Sequence, residues 1–164
     1  RDRLRMHSTS FQIEGPYLGQ AAICEPILRS LPAWFGIEEA IVHYVGEIEH
    51  LPTFLASSSE DAIGFVSLKQ HNPSSAEVYV MAVRQEAHRQ GVGRALGARA
   101  KEWLRGQGVE YLQVKTLGPS HPDAGYAKTR AFYTAVGFMP LEELTELWDE
   151  HNPCLIMVQR LWCE

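Results

Sequence analysis

The sequence lacks several features that would assign it to a membrane, a nucleic acid or a secretion route. None of its apolar runs approaches the roughly 20 residues of a membrane-spanning helix, so we expect no membrane partner. Bases are not in excess: 15 Lys and Arg against 20 Asp and Glu give a net charge of -5, which disfavours general nucleic-acid binding. The opening Arg1-Asp2-Arg3 is followed by no apolar stretch, so no signal peptide is expected. With 164 residues, of which 45% are apolar, we predict a single domain over residues 1–164.

Cysteine and metal-ligand patterns are equally sparse. Cys24, Cys154 and Cys163 form no CxxC pair and leave an odd count, so we expect free thiols packed as small apolar groups. This cysteine usage favours a reducing, cytoplasmic setting. The seven histidines include no HExxH motif, and we therefore predict no bound metal ion.

Hydrophobic periodicity and turn residues divide the chain into alternating helices and strands. An early group of hairpins and a late strand-helix-strand crossover predict an α/β or α+β domain built around one mixed sheet. The segment 141–151 is taken as a loop. The predicted elements, in chain order, are a strand at 11–14, helices at 18–30 and 37–48, strands at 53–56, 62–69 and 77–84, a helix at 91–105, a strand at 111–115, a helix at 123–136, and final strands at Phe138 and 154–161.

Two of these elements carry a pattern that predicts which side chains share a face. In the second helix one apolar stripe is expected, formed by Ile37, Ala40, Ile41, Tyr44, Val45 and Ile48. In the strand at 77–84 strict alternation is expected, with Val78, Val80 and Ala82 facing opposite to Glu77, Tyr79 and Met81.

A glycine motif joins the end of this strand to the next helix. Met81-Ala82-Val83 ends the strand, and His88-Arg89-Gln90-Gly91-Val92-Gly93-Arg94 opens the helix. Glycines allow close approach of the backbone, and the free N–H groups of a helix start favour an anion such as a diphosphate. A P-loop is excluded because no Gly-Lys occurs, and the Rossmann spacing fails because the third glycine, Gly97, comes one residue late. On spacing alone, a helix start that merely contains two glycines is an equally good interpretation.

A second cluster, Tyr126 to Tyr133 followed by Gly137-Phe138, changes that balance. Taken with Met81–Val83 and the Gly91-Val92-Gly93 motif, it makes the chain resemble the GNAT superfamily of N-acetyltransferases. The resemblance implies a central mixed, mostly antiparallel, twisted sheet of about six to seven strands flanked by about four helices. It departs from the family pattern at His88, where Gln or Arg is usual, and at Tyr126, where Asn is common.

The resemblance also implies that acetyl-CoA is the co-substrate. Its pantetheine arm is expected along the Met81–Val83 strand edge and its diphosphate on the amides of Arg89 to Arg94. The cofactor-binding residues predicted in this way are Met81, Ala82, Val83, His88, Arg89, Gln90, Gly91, Val92, Gly93, Arg94 and Tyr126.

For the chemistry, the resemblance implies direct transfer of the acetyl group to an amine, without an acyl-enzyme. Glu77 is the candidate base that removes the amine proton through water, although it also fits the polar start of a strand. Tyr133 is the candidate acid that protonates the leaving thiolate, because a phenol and an alkyl thiol have comparable proton affinities. Its other interpretation is an aromatic residue packed beside Phe132.

The acceptor is expected to be a primary amine, and the distribution of acidic residues predicts its charge. Six acids lie in 37–61 and five in 141–151, both without Lys or Arg, which predicts a cationic small molecule or a protein or peptide amine; solvated faces give such runs too. Trp34, Phe35 and Tyr79 are predicted to contact it, with core packing as the alternative for the first two. A non-catalytic acyl-CoA-binding sensor is the competing function. Trp148 and Trp162 leave monomer or homodimer open.

Overall fold

A computed structural model describes residues 10–162, so the opening Arg1–Arg3 and Cys163 lie outside the described part. The order of elements agrees with the one expected from the sequence. The elements are β1 (Gln12–Tyr17), α1 (Ala21–Arg29), α2 (Glu38–Ile48), β2 (Thr53–Ser58), β3 (Asp61–Asn72), β4 (Ser75–Val83), a 3-10 turn (Gln85–Ala87), α3 (Val92–Gly106), β5 (Tyr111–Leu117), α4 (Ala124–Ala135), β6 (Met139–Asp149) and β7 (Asn152–Arg160).

The seven strands form one sheet in the order β1-β2-β3-β4-β5-β7-β6. Every neighbouring pair is antiparallel except β4 and β5, which are parallel and are joined by α3 as a crossover helix. The expected class, a mixed and mostly antiparallel sheet with four helices, is confirmed. Among the helices of residues 10–162, none combines the length and the apolar content needed to cross a lipid bilayer.

Apolar side chains cover the two faces of the sheet in separate clusters. One face packs against α3 and α4 and is called here the α3 face; its buried members include Val66, Val78, Leu96, Leu104, Val114 and Tyr133. The other packs against α1 and α2 and is called the α1 face; its members include Cys24, Ile27, Ile48, Phe65, Val80 and Ala82. The sheet is therefore buried on both faces at its centre, as its apolar strands require.

The strict alternation expected in β4 is wrong because the strand contains a β-bulge. Ser67 of β3 pairs with Val80 and Leu68 pairs with Val78, which leaves Tyr79 without a partner on β3. One extra residue moves each later side chain of the strand to the opposite face of the sheet. Val78 thus lies on the α3 face, whereas Val80 and Ala82 lie on the α1 face.

Two further expectations are corrected at exposed elements. The segment 141–151 is not a loop, because most of it belongs to β6, an edge strand paired only with β7 through an irregular register. Nearly all of β6 is exposed, so burial imposes no alternation on its sequence. Ile37 is also outside the apolar stripe of α2: it precedes the helix as its N-cap and is 67% exposed.

Candidate active site

A gap between β4 and β5 is the central feature of the candidate site. The two strands pair only from Ser75–Val78 to Tyr111–Val114, although β4 runs on to Val83 and β5 to Leu117. The bulge at Tyr79 stands where the pairing stops. Beyond it the β4 edge from Tyr79 to Val83 has no pairing partner on β5. An extended ligand can follow such an edge as a further strand would.

The upper end of this edge leads into the glycine motif that precedes α3. Gly91 is the N-cap of α3 with φ of 81°, a left-handed conformation that favours glycine. Within residues 10–162, the backbone N–H groups from Arg89 to Arg94 donate no hydrogen bond; the first one inside the helix runs from Ala95 to the Gly91 carbonyl. A Cβ on Gly91 would meet nothing within 4 Å, so the loop surface is open. Six free amides at a helix start suit a diphosphate.

His88, which begins the motif, is exposed, and its ring contacts the end of β4 and the segment between α1 and α2. Its Nε2 lies 2.7 Å from the Val83 carbonyl oxygen, and its backbone N–H donates to Gln85 over 3.1 Å. The imidazole also meets the Trp34 ring edge-on, with centroids 5.9 Å apart. His88 therefore fixes the turn between β4 and the free amides. Arg89, Gln90, Gly91 and Arg94 of this segment are exposed, whereas Val92 is buried.

Tyr133 lies on the α3 face, close to the point where β4 and β5 stop pairing. It borders a narrow cavity of about 20 Å³ together with Val78, Met81, Leu112 and Phe132. The side chain is 8% exposed, and within residues 10–162 its hydroxyl makes no hydrogen bond. Burial raises the pKa of Tyr133, and the nearby Tyr126 and Tyr44 raise it further. The phenol consequently keeps its proton through neutral pH.

Glu77 lies on the opposite, α1 face, just below the point where β4 and β5 separate. Its side chain is buried, and its Oε1 accepts a hydrogen bond of 2.9 Å from Lys115 Nζ. The same oxygen lies 2.7 Å from Nε2 of His71. The expected common face of Glu77 and Tyr79 is found: the Glu77 charge contributes to raising the pKa of Tyr79 to about 12, an effect dominated by burial. Glu77 is thus an ion-paired carboxylate inside the site.

The segment between α1 and α2 crosses the site and is fixed to α4. The Tyr126 hydroxyl donates to the Trp34 carbonyl oxygen over 3.1 Å, and Trp34 Nε1 donates to Thr129 Oγ1 over 3.3 Å. Tyr126 itself is placed by Asp123, whose carboxylate caps α4 by accepting from the Tyr126 amide. The contact expected between Tyr126 and a cofactor therefore competes with a contact inside the chain.

An aromatic wall continues from this segment to β4. Phe35 meets Tyr44 of α2 with centroids 5.9 Å apart, and Tyr44 meets Tyr79 with centroids 5.7 Å apart. Tyr44 was expected only as a member of an apolar stripe, so its place in the site was missed. His71, Lys115 and Thr129 were missed as well, since each is brought to the site by strand pairing or helix packing and carries no local motif.

No arrangement typical of a metal centre is present in the part of the chain that the structure describes, where no three His, Cys, Asp or Glu side chains come together suitably. The groups that this site offers for chemistry are the amides before α3, the Tyr133 phenol and the ion-paired Glu77.

Comparison with known proteins gives concordant findings. Residues 23–138 match the model of the acetyltransferase (GNAT) family. A mycothiol acetyltransferase of Beutenbergia cavernae is 35% identical over 74 residues, which are 45% of this chain but only 23% of that protein. The chain thus matches about a quarter of that relative's length.

Two solved structures share the fold over most of the chain. A GNAT-family protein from Desulfovibrio desulfuricans has a TM-score of 0.81 at 20% identity, covering 93% of this chain and 100% of that one. A GNAT-family acetyltransferase from Elizabethkingia anophelis, with acetyl-CoA bound, has a TM-score of 0.70 at 15% identity, covering 92% and 97%.

Proposed function

The chain belongs to the acetyltransferase (GNAT) family, and from this premise we propose that it transfers an acetyl group from acetyl-CoA directly to an amine. The observation that carries the proposal is the arrangement along the unpaired β4 edge: the amides of Arg89 to Arg94 follow its end, and Tyr133 shares a small cavity with Met81 of the same edge. Acetyl-CoA would supply an acetyl thioester, which an uncharged amine can attack.

The chain's own residues suit the binding of that molecule. The free amides of Arg89 to Arg94 are donors for a diphosphate, and Arg89 and Arg94 add positive charge. The Val83 carbonyl is already taken by His88, which leaves the edge from Tyr79 to Ala82 for an extended arm. In this proposal the strand edge that binds the cofactor begins at Tyr79, and the side chain of His88 does not contact the cofactor.

Two proton-handling groups then face the gap from opposite sides of the sheet. We assign Tyr133 as the acid for the leaving thiolate because its phenol is protonated at neutral pH and lies beside Met81 of the β4 edge. Burial raises its pKa and so lowers its acid strength, which a bound thiolate would offset by favouring the protonated donor beside it. We assign to Glu77, on the other face, the carboxylate on which removal of the amine proton depends.

The experiment is a thiol-release assay with acetyl-CoA and a panel of amines, comparing the wild type with Tyr133→Phe. We expect kcat to fall by about 100-fold with acetyl-CoA affinity preserved, since the variant loses only the acid. Tyr17→Phe, at an exposed tyrosine of β1, is the matched control. Unchanged kcat in Tyr133→Phe would contradict the assigned acid. Binding of acetyl-CoA without turnover of any amine would support a non-catalytic sensor instead.

For the acceptor we propose a cationic amine of a small molecule or a peptide. The aromatic wall of Trp34, Phe35, Tyr44 and Tyr79 supports it, because π-faces attract ammonium groups. Tyr79 already has one such neighbour: Lys69 Nζ lies 5.4 Å from its ring centroid and 3.7 Å from Glu47. Acetylation rates that are equal for neutral amines and polycations, and independent of salt, would refute this acceptor class.

The expected cytoplasmic setting remains part of the proposal. Cys24 and Cys154 are both free and buried, which is consistent with a reducing compartment. Either a monomer or a homodimer is compatible with exposed Trp148 and Trp162.

A further inference from the structure

Glu77 is the centre of a three-residue chain on the α1 face that joins β3, β4 and β5. Lys115 Nζ and His71 Nε2 both contact its Oε1, at 2.9 Å and 2.7 Å. The exposed fraction of the side chain rises from 6% for Glu77 to 28% for Lys115 and 33% for His71. These three side chains thus connect a buried carboxylate to an imidazole that water can reach.

The geometry fixes how the imidazole is used. An ionised carboxylate only accepts hydrogen bonds, so Nε2 of His71 must be the protonated nitrogen that donates to Glu77. The neutral ring then carries its lone pair on Nδ1, for which no hydrogen-bond partner occurs within residues 10–162. A carboxylate that orients a histidine and stabilises its cationic form is the arrangement of an acid–base pair.

We propose that His71 Nδ1 is the base of the amine transfer, working through water, and that Glu77 is the residue that positions it. This inference rests on the proposed function. One N–H bond of the acceptor ammonium breaks and its electron pair stays on nitrogen. The proton passes through water to Nδ1, which makes the ring an imidazolium. Glu77 stays ionised beside it, and the imidazolium afterwards returns the proton to solvent.

The other ionisable groups around the pair leave this role to His71. The groups near Glu77 are Tyr44 of α2, Lys69 of β3, Tyr79 of β4, Lys115 of β5 and Cys154 of β7. Glu47 of α2 lies next to Lys69 and Tyr79. Burial raises the pKa of Tyr79 to about 12 and that of Cys154 above its usual range, so neither loses a proton near neutral pH. Lys69 and Lys115 are held in ion pairs with Glu47 and Glu77.

The first measurement is kcat/KM as a function of pH for the wild type and His71→Asn. We expect a loss of about 100-fold at neutral pH. The loss should shrink as the pH rises towards the range in which the acceptor amine deprotonates by itself, since a base is then no longer needed. A deficit that is constant at all pH values would show a structural role and overturn the proposal. His50→Asn, at an exposed histidine, is the matched control.

The second measurement separates His71 from the rival base, Glu77 itself. The Nε2 proton of His71, identified by its loss in His71→Asn, is observed by NMR in the wild type and in Glu77→Leu. It should exchange slowly with water in the wild type, because Nε2–H donates to Glu77, and rapidly in Glu77→Leu. Equal exchange in the two proteins would overturn the pairing. If His71→Asn is as active as the wild type and a folded Glu77→Gln is inactive, Glu77 is the base and the proposal is refuted.

The two proposals can fail separately. Absence of turnover with every amine in the wild type would refute the proposed function, while the NMR exchange measurement would still test the hydrogen bond between His71 and Glu77. Normal wild-type turnover with an unaltered pH profile in His71→Asn would refute only the assignment of His71. Thermal unfolding of each variant shows whether a loss reflects the fold.

Discussion

Replacement of Gly93 by alanine tests the close contact between the start of α3 and the Phe132 ring of α4. A Cβ at this position would lie 3.1 Å from Cζ and 3.4 Å from Cε2 of the Phe132 ring. Ordinary carbon contacts are about 3.5–4.0 Å, so the ring must retreat by a few tenths of an ångström. It cannot turn freely, because the neighbouring Tyr133 ring packs against it with centroids 5.6 Å apart.

The expected magnitude follows from two opposing effects. Alanine favours a helix over glycine by up to about 1 kcal/mol, whereas overpacking costs about 1–3 kcal/mol. We therefore expect Gly93→Ala to lower the free energy of unfolding by about 1 kcal/mol, or Tm by about 2–4 °C. Because Gly93 contributes one of the free amides and Phe132 adjoins Tyr133, acetyl-CoA affinity and kcat should fall as well.

The control is Gly46→Ala in α2, where a Cβ would meet nothing within 4 Å. This variant should raise Tm slightly, since only the helix preference acts. In the double variant Gly93→Ala/Phe132→Leu, removal of the ring should recover stability relative to the sum of the single changes. Thermal unfolding and calorimetric titration with acetyl-CoA are the assays. A Gly93→Ala protein as stabilised as Gly46→Ala, with unchanged affinity, would refute the reasoning.

Three other outcomes are expected from the remaining contacts. The free energy of unfolding should decline as the pH rises from 10 to 12, and it should decline less in Tyr79→Phe. The reason is that the pKa of Tyr79 is about 12 in the fold but near 10 in the unfolded chain, so ionisation between these values favours unfolding. Identical pH profiles of the two proteins would contradict this. Trp34→Phe removes the hydrogen bond to Thr129 and should raise the KM of the acceptor more than that of acetyl-CoA, as steady-state kinetics would show. Cys24 should be alkylated only after unfolding, as read by mass spectrometry, because burial raises its pKa to about 12; rapid labelling in the native protein would count against its buried position.

The sequence was sufficient to predict the elements that are specified by local signals, such as an apolar face or a capping residue. The stripe of α3 and the Gly91 start fixed that helix to within a residue, because an apolar face and a left-handed glycine are both local signals. The α4 cap at Asp123 was equally local. β6 was missed since an exposed edge strand gains its order from β7 through backbone pairing, which leaves no alternation to detect.

The site was predictable only in part, for a related reason. Tyr133 and the amides from Arg89 to Arg94 belong to contiguous motifs. His71, in contrast, approaches Glu77 across the β3–β4 hairpin, and Lys115 approaches it from the parallel strand, after a separation of 38 residues. Such partners depend on strand register, and one irregular pair is enough to displace a register inferred from sequence.

The bulge at Tyr79 connects these observations to function. Without it, β4 would keep one facing along its whole length, so Glu77 and Met81 would lie on the same face. With it, Glu77 and Tyr79 face α1 while Met81 packs on the α3 face beside Tyr133. The strand edge also stops pairing with β5 at this position, which opens the gap. A single extra residue therefore coincides with the end of the β4–β5 pairing and places Glu77 and Met81 on opposite faces of the sheet.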